Sequence, residues 1–85
     1  MHEDITPCEQ AVLDFLLSVH PRIVDRFQVF RHLNALPEDH PVTVRESAVV
    51  CQHISNMRRK LRYYKIINLY KYGYRIDLIH AAKTQ

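Results

Sequence analysis

Residues 43–75, TVRESAVVCQHISNMRRKLRYYKIINLYKYGYR, decide the fold of this 85-residue chain. In the first part of the stretch, apolar side chains recur in steps of four and three, which places them on one side of a helix. These residues are Val50, Ile54, Met57, Leu61 and Tyr64. The spacing therefore predicts a long amphipathic helix over about residues 44–63, with its apolar side turned towards a core.

The second part predicts a β-hairpin directly after that helix, over residues 66–78. Residues 66–70 (IINLY) and 74–78 (YRIDL) are rich in β-branched and aromatic side chains, which favour strands. The turn between them ends at Gly73, the single glycine of the chain, which we expect to adopt a positive φ. With one glycine, the chain has no glycine-rich loop of the kind that binds phosphate groups.

Charge is divided unevenly along the chain. Residues 1–46 contain four arginines and eight acidic residues, a net charge of −4, whereas residues 47–85 contain eight basic residues and only Asp77, a net charge of +7. This division predicts that one surface binds a polyanion. The alternative is an ordinary solvated surface, which is the usual role of charged side chains.

Two shorter helices are predicted before the stretch, and three pairs of residues have the spacing of a capping box at a helix start. The pairs are Thr6 with Glu9, Asp25 with Gln28, and Thr43 with Glu46. The first helix ends at His20 because a residue before proline is disfavoured in a helix. The second carries Phe27, Phe30, Leu33 and Leu36 as its apolar stripe and ends near Leu36. We expect one α+β domain over residues 1–85, with a core of about residues 5–78 and flexible ends at 1–4 and 80–85.

The polar side of the third helix is expected to project away from the two supporting helices. Its outward residues are Gln52, Ser55, Asn56, Arg59 and Arg62, with His53 and Lys60 on one flank and Arg58 on the other. A helix fits the major groove of DNA, where Arg reads guanine and Gln or Asn reads adenine. We therefore predict that Gln52, Asn56 and one of the two adjacent arginines contact bases. Arg62 and Lys65, nearer the helix end, are predicted to contact phosphates, and the tip Tyr70-Lys71-Tyr72 to enter the minor groove or follow the backbone.

The segments HISNMRRKL (residues 53–61) and YGYRI (residues 72–76) resemble the winged helix-turn-helix effector domain of OmpR/PhoB-type response regulators. In that family, a recognition helix with the pattern V-x-x-HI-x-x-LR-x-KL leads into a wing that ends V-G-Y-R. The opening ITPCEQAVLDFLL is similar to LT-x-x-E-x-x-LL in the family's first helix, and Val24-Asp25-Arg26 is similar to its V-S-R. The resemblance covers about residues 5–78 and implies a winged helix-turn-helix with a C-terminal β-hairpin wing.

The resemblance also implies sequence-specific binding of double-stranded DNA by a small transcription regulator. Family positions that match His53, Ser55, Asn56, Arg58 and Arg59 face DNA, and the wing tip adds contacts. The chain departs from the family pattern in four ways. The family usually has an Arg four or five positions before the His, where this chain has Ala48 and Val49. At the wing tip, Arg is common at the position of Tyr70 and Gly at that of Lys71; Ser55 and Asn56 occupy positions often filled by Arg; and the stretch between the third helix and the wing is very short. We expect that neither a receiver domain nor the family's N-terminal sheet precedes the match, and hence a stand-alone module of phage or mobile-element origin in the bacterial cytoplasm, at the nucleoid.

A second hypothesis keeps the same scaffold but makes it a protein-interaction module that binds a host transcription regulator or RNA polymerase. The lost arginine positions and the aromatic wing tip favour it. In either case we expect no membrane partner, a monomer in solution, and a dimer on DNA if the operator is repeated.

Other chemistry is weakly supported by the sequence. The six histidines lack zinc spacing and Cys51-x-His53 is half a site at most, so we expect no metal and no other cofactor. We find no catalytic constellation and expect no enzyme activity. Cys8 and Cys51 are expected to be free thiols, Cys51 as a small buried hydrophobe, with redox sensing as the alternative. Tyr64 and Tyr74 are expected in the core, and Tyr72 is the best aromatic candidate for a DNA contact.

Overall fold

The computed structural model describes residues 5–78, in which three helices are followed by an antiparallel hairpin. The helices are α1 (Pro7–Val19), α2 (Arg26–Leu33) and α3 (Val44–Arg58), and the strands are β1 (Tyr64–Leu69) and β2 (Gly73–Leu78). This arrangement confirms the predicted α+β fold class. The flexible ends expected at residues 1–4 and 80–85 lie outside the described residues.

All three predicted capping boxes are present. The side chains of Thr6, Asp25 and Thr43 each accept a hydrogen bond from the backbone amide three residues later, at 3.1, 2.9 and 3.0 Å. In each case the side-chain oxygen of the Glu or Gln at that later position accepts a hydrogen bond from the backbone amide of the capping residue. Each helix start is therefore determined by four consecutive residues. Each capping side chain stabilises its helix by about 0.5–2 kcal/mol.

The prediction for α2 was wrong in two respects. The helix ends at Leu33 rather than near Leu36, because Ala35 takes a left-handed conformation with φ 55. The amides of Leu36 and Ala35 then bond back to the carbonyls of Arg31 and His32, at 2.8 and 3.2 Å, the pattern of a Schellman motif. The predicted stripe also omitted Val29, which is the fully buried residue of α2, whereas Phe30 and Leu33 pack at the edge of the core.

The third helix is shorter than predicted. It ends at Arg58 instead of about residue 63, and the amides of Lys60 and Leu61 both bond to the carbonyl of Met57, at 2.8 and 3.1 Å. Leu61 and Tyr64 still pack against the core, but from the connection and from β1. Adjacent aromatic residues favour a strand over a helix, so the same apolar positions are buried by a turn and a strand.

The hairpin begins at Tyr64, two residues before the predicted start, and its register pairs Ile66 with Ile76. Both isoleucines are buried and anchor the hairpin to the helices. Gly73 has the expected positive φ, at 128. A single bridge, which the sequence analysis did not predict, joins Val24 to Tyr74 through two backbone hydrogen bonds of 3.0 and 2.7 Å.

The core lies where the three helices meet the base of the hairpin. It consists of Val12, Leu13, Leu16, Val24, Val29, Val50, Ile54, Met57, Ile66 and Ile76. Because Val50, Ile54 and Met57 all point into this core, the opposite side of α3 is left facing solvent.

Candidate nucleic-acid interface

The exposed side of α3 and the residue after it carry the side chains predicted to contact DNA. Gln52, Ser55, Arg58 and Arg59 are exposed, and Asn56 is half-buried; we call these five residues the recognition surface. The amide group of Gln52 lies 3.4 Å from the Oδ1 atom of Asn56, one helical turn later. Both amides therefore lie side by side on the part of α3 that faces away from the core.

His53 lies on the flank of α3 that approaches α1. His53 is half-buried and lines a groove of about 360 Å³ between the three helices. We call this groove the apolar groove; its other lining residues include Pro7, Cys8, Phe30, Leu33 and Val49. Its ring is thus placed at the edge of the recognition surface. Contact between His53 and DNA stays a prediction.

Lys60 does not contribute a free cation to this surface. Its Nζ atom lies 2.9 Å from the Oε1 atom of Glu9, a carboxylate that is only 3% exposed. Burial alone raises the pKa of Glu9, but the bonds from Lys60 and the Thr6 amide, with the positive charge of Lys60, outweigh it and hold that pKa below its ordinary value. Glu9 therefore ties the end of α3 to the start of α1.

Two residues predicted near the end of the third helix lie outside it. Arg62 is exposed in the bend after α3, and Lys65 is exposed on β1. Because α3 ends at Arg58, Arg62 lies in the connection to the hairpin and Lys65 lies in the hairpin itself. Their predicted contacts with phosphates remain predictions.

The far end of the hairpin is aromatic and basic. Tyr70 is 82% exposed and Tyr72 is 72% exposed, with Lys71 exposed between them; these three residues form the wing tip. The Nζ atom of Lys71 lies 5.7 Å from the centre of the Tyr70 ring, within the range of a cation–π contact. Large exposed aromatic side chains at a loop tip have no role in the core and are available for a partner.

A polar cluster that the sequence analysis missed joins the hairpin to α3. The hydroxyl of Tyr74 lies 3.4 Å from the Sγ atom of Cys51, and Arg26 donates from Nη1 to the same sulfur at 3.6 Å. Cys51 is therefore a half-buried thiol with polar neighbours, and the expectation of a purely apolar buried residue was wrong. Tyr74 packs against the core as expected, but its hydroxyl has a partner 23 residues away that no local pattern indicates.

Burial and the hydrogen-bonded contact with Cys51 raise the pKa of Tyr74 to about 12, against the lowering effect of the positive charges of Arg26 and Arg58. Its phenol therefore stays protonated at neutral pH. Within residues 5–78, no three His, Cys, Asp or Glu side chains are grouped so that they can hold a metal ion. None of the helices in this part of the chain is long and apolar enough to span a membrane.

The chain matches the model of one protein family, described as "Transcriptional regulatory protein, C terminal", over residues 2–76. The match spans most of the sequence, so the chain belongs to this family, whose members are the OmpR/PhoB-type effector domains. The family consists of DNA-binding domains of transcription regulators and is not a class of enzymes. Searches of curated proteins and of solved structures gave no significant match.

Proposed function

We propose that this member of the OmpR/PhoB-type effector family binds double-stranded DNA sequence-specifically, with α3 in the major groove and the hairpin against the neighbouring backbone or minor groove. One observation carries the proposal. From the recognition surface to the wing tip, the exposed chain offers hydrogen-bonding and basic side chains, and residues 47–76 contain no Asp or Glu. A carboxylate-free surface of this kind suits a phosphate-lined groove.

Within the recognition surface, the side chains divide into two chemical roles. Gln52 and Asn56 have amide groups that match the donor and acceptor of adenine, whereas Arg58 and Arg59 match the two acceptors of guanine. Ser55 lies between them and can bond to either kind of base. We propose that bases contacted by these residues define the operator.

The hairpin and the segment before it are proposed to supply affinity. Arg62, Lys65 and Lys71 are basic and exposed, which suits contacts with phosphate oxygens. Tyr70 and Tyr72 flank Lys71 and present apolar ring surface with a hydroxyl at the end, which suits the sugar edges of a minor groove. These contacts fix the orientation of the protein on the duplex.

The test begins with selection of a duplex from a random library, followed by a fluorescence-polarisation titration at about 50 mM salt. Arg59→Ala should weaken binding about tenfold and relax the preference at one base position. Arg22→Ala removes an equally exposed arginine from the turn between α1 and α2, and should change affinity by no more than about twofold. Failure to select or bind any duplex under these conditions would reject the proposal.

A second candidate function rests on the apolar groove. Val44 and Val49, on the first half of α3, are 63% and 44% exposed, and Val49 also lines the groove. Exposed valines beside an apolar groove suit an apolar partner such as a segment of RNA polymerase or of a host regulator. Under this alternative, Val49→Asp abolishes binding to purified RNA polymerase and DNA affinity does not vary with sequence.

A further inference from the structure

Strand β2 has polar side-chain contacts near both of its ends. Near its start, the hydroxyl of Tyr74 lies 3.4 Å from the Sγ atom of Cys51 on α3. Near its other end, Asp77 receives two bonds from Arg75, at 3.1 and 3.2 Å, and lies 3.9 Å from His20 after α1. The first of these contacts goes directly to the helix that carries the recognition surface.

A side chain of α2 also contacts the Cys51 sulfur. Arg26, the first residue of α2, donates to it from Nη1 at 3.6 Å, and the same guanidinium lies 5.2 Å from the centre of the Phe27 ring. The side chains of Arg26, Cys51 and Tyr74 therefore bring α2, α3 and β2 to one point. We call these three residues the junction.

The backbone at the junction already fixes where β2 meets the helical part. Tyr74 exchanges two hydrogen bonds with Val24, and a Cβ atom at Gly73 would lie 2.3 Å from the Val24 carbonyl oxygen. This close approach holds one point of the strand. The angle between the hairpin and α3 then depends on side chains around that point: the buried Ile66 and Ile76, and the Tyr74 hydroxyl within hydrogen-bond distance of the Cys51 sulfur, where either atom can donate.

We propose that Tyr74 is a positioning residue for DNA binding, which acts through Cys51 and Arg26 to fix the angle of the hairpin relative to α3. The inference rests on the proposed function. Lys71 lies three positions before Tyr74, in the turn that precedes β2, so the wing tip lies beyond the junction at the far end of the hairpin. A small rotation at the junction therefore displaces the wing tip from the phosphates while the recognition surface is still bound.

The first test is a double-mutant cycle between the junction and the wing tip. In the wild-type chain, Lys71→Ala should lower affinity for the selected duplex about three- to tenfold. Tyr74→Phe keeps the half-buried ring and removes the hydroxyl. In that background Lys71→Ala should lower affinity no more than about twofold, because the wing tip is already displaced. Equal effects of Lys71→Ala in both backgrounds would overturn the proposal.

Matched variants separate positioning from stability. Asp77→Asn weakens the contacts at the other end of β2 and should leave the full effect of Lys71→Ala. Cys51→Ala should reproduce Tyr74→Phe, whereas Cys51→Ser retains an acceptor for the phenol and should restore most of the coupling. Thermal unfolding of each variant records any loss of stability. If the effect of Lys71→Ala on affinity varies with the melting temperature of the background variant, and not with the presence of the Tyr74–Cys51 contact, the proposal is overturned.

A measurement without DNA makes the two proposals independently testable. In the free protein, the backbone amides at positions 72 and 74 should exchange hydrogen faster in the Tyr74→Phe variant than in the wild type. They should exchange at the wild-type rate in Asp77→Asn. If no duplex binds while this difference is observed, DNA binding fails and the role of Tyr74 in holding the hairpin stands. If DNA binds tightly and exchange is unchanged, the role of Tyr74 fails and DNA binding stands.

Discussion

At the scale of single residues, Glu9 closes the capping box of α1 and pairs with Lys60 through the same carboxylate oxygen. The residue types predicted the first contact, since a Thr and a Glu three positions apart are typical of a helix start. They did not predict the second, because the partner lies 51 residues away. Lys60, which was predicted to lie on a flank of the third helix, therefore holds the end of α3 against the start of α1.

Glu9→Gln tests this role. The pKa of Glu9 is lowered in the folded protein, so its ion pair stabilises the fold above the ordinary carboxyl pKa of 4.5 and the contribution is lost as pH falls through the lowered value. At about pH 7 the substitution should reduce the free energy of unfolding by about 1–3 kcal/mol. At about pH 3 the difference between the two proteins should be smaller, because below 4.5 the unfolded wild-type chain binds a proton at Glu9 more readily than the folded protein does.

Denaturant unfolding at both pH values measures the effect, with Asp14→Asn as the control. Asp14 is an exposed carboxylate on the same helix that bonds only locally to Gln10, so its substitution should change stability by less than about 0.5 kcal/mol. A Glu9→Gln variant that unfolds like the wild type at neutral pH would show that the ion pair contributes nothing.

At the scale of elements, the ends of α2 and α3 show what the sequence can and cannot predict. The helix starts were predicted to the residue because a capping box is local. The helix ends were not, because Ala35 gives no sign of a left-handed conformation and because Leu61 and Tyr64 fit the apolar stripe of a longer helix. The Val24–Tyr74 bridge was missed for a related reason, since both partners are set by tertiary packing.

Ala35→Gly should stabilise the protein. Ala35 has a φ of 55, a conformation that costs an L-residue about 1–2 kcal/mol, and glycine avoids this cost at the expense of about 0.5–1 kcal/mol of chain entropy. We expect a net gain of about 0.5–1 kcal/mol in the free energy of unfolding. Ala48→Gly, at an exposed position inside α3, is the matched control and should destabilise by about 1 kcal/mol. If both variants lose stability alike, the C-terminal motif of α2 is not formed.

At the scale of the whole molecule, negative and positive charges lie on different secondary-structure elements. The negative charge lies in the part of the chain that builds α1, α2 and their loops, and the positive charge lies in the second half of α3 and the hairpin. The sequence was sufficient to predict this division and the residue types of the recognition surface. It was insufficient to show that Lys60 is paired, because its partner Glu9 lies 51 residues away, or that Arg62 lies outside the helix, because that depends on where α3 ends.

The charge division predicts a steep salt dependence of binding. With about four to seven phosphates neutralised, the logarithm of the association constant should fall with the logarithm of salt concentration at a slope of about −4 to −6. Titrations of the selected duplex at several salt concentrations give this slope, and Lys71→Ala should make it less steep by about one. A slope near zero would show that phosphates are not the partner of the basic surface.

The most direct test of the central claim is amide chemical-shift mapping of the isotope-labelled chain during titration with its selected duplex. We predict that the largest shifts fall on Gln52, Asn56 and Arg59 of the recognition surface and on Lys71 of the wing tip. Shifts at Cys8 and Leu33, in the apolar groove, should be small. Large shifts in that groove with an unchanged recognition surface would contradict the claim that α3 and the hairpin hold the duplex.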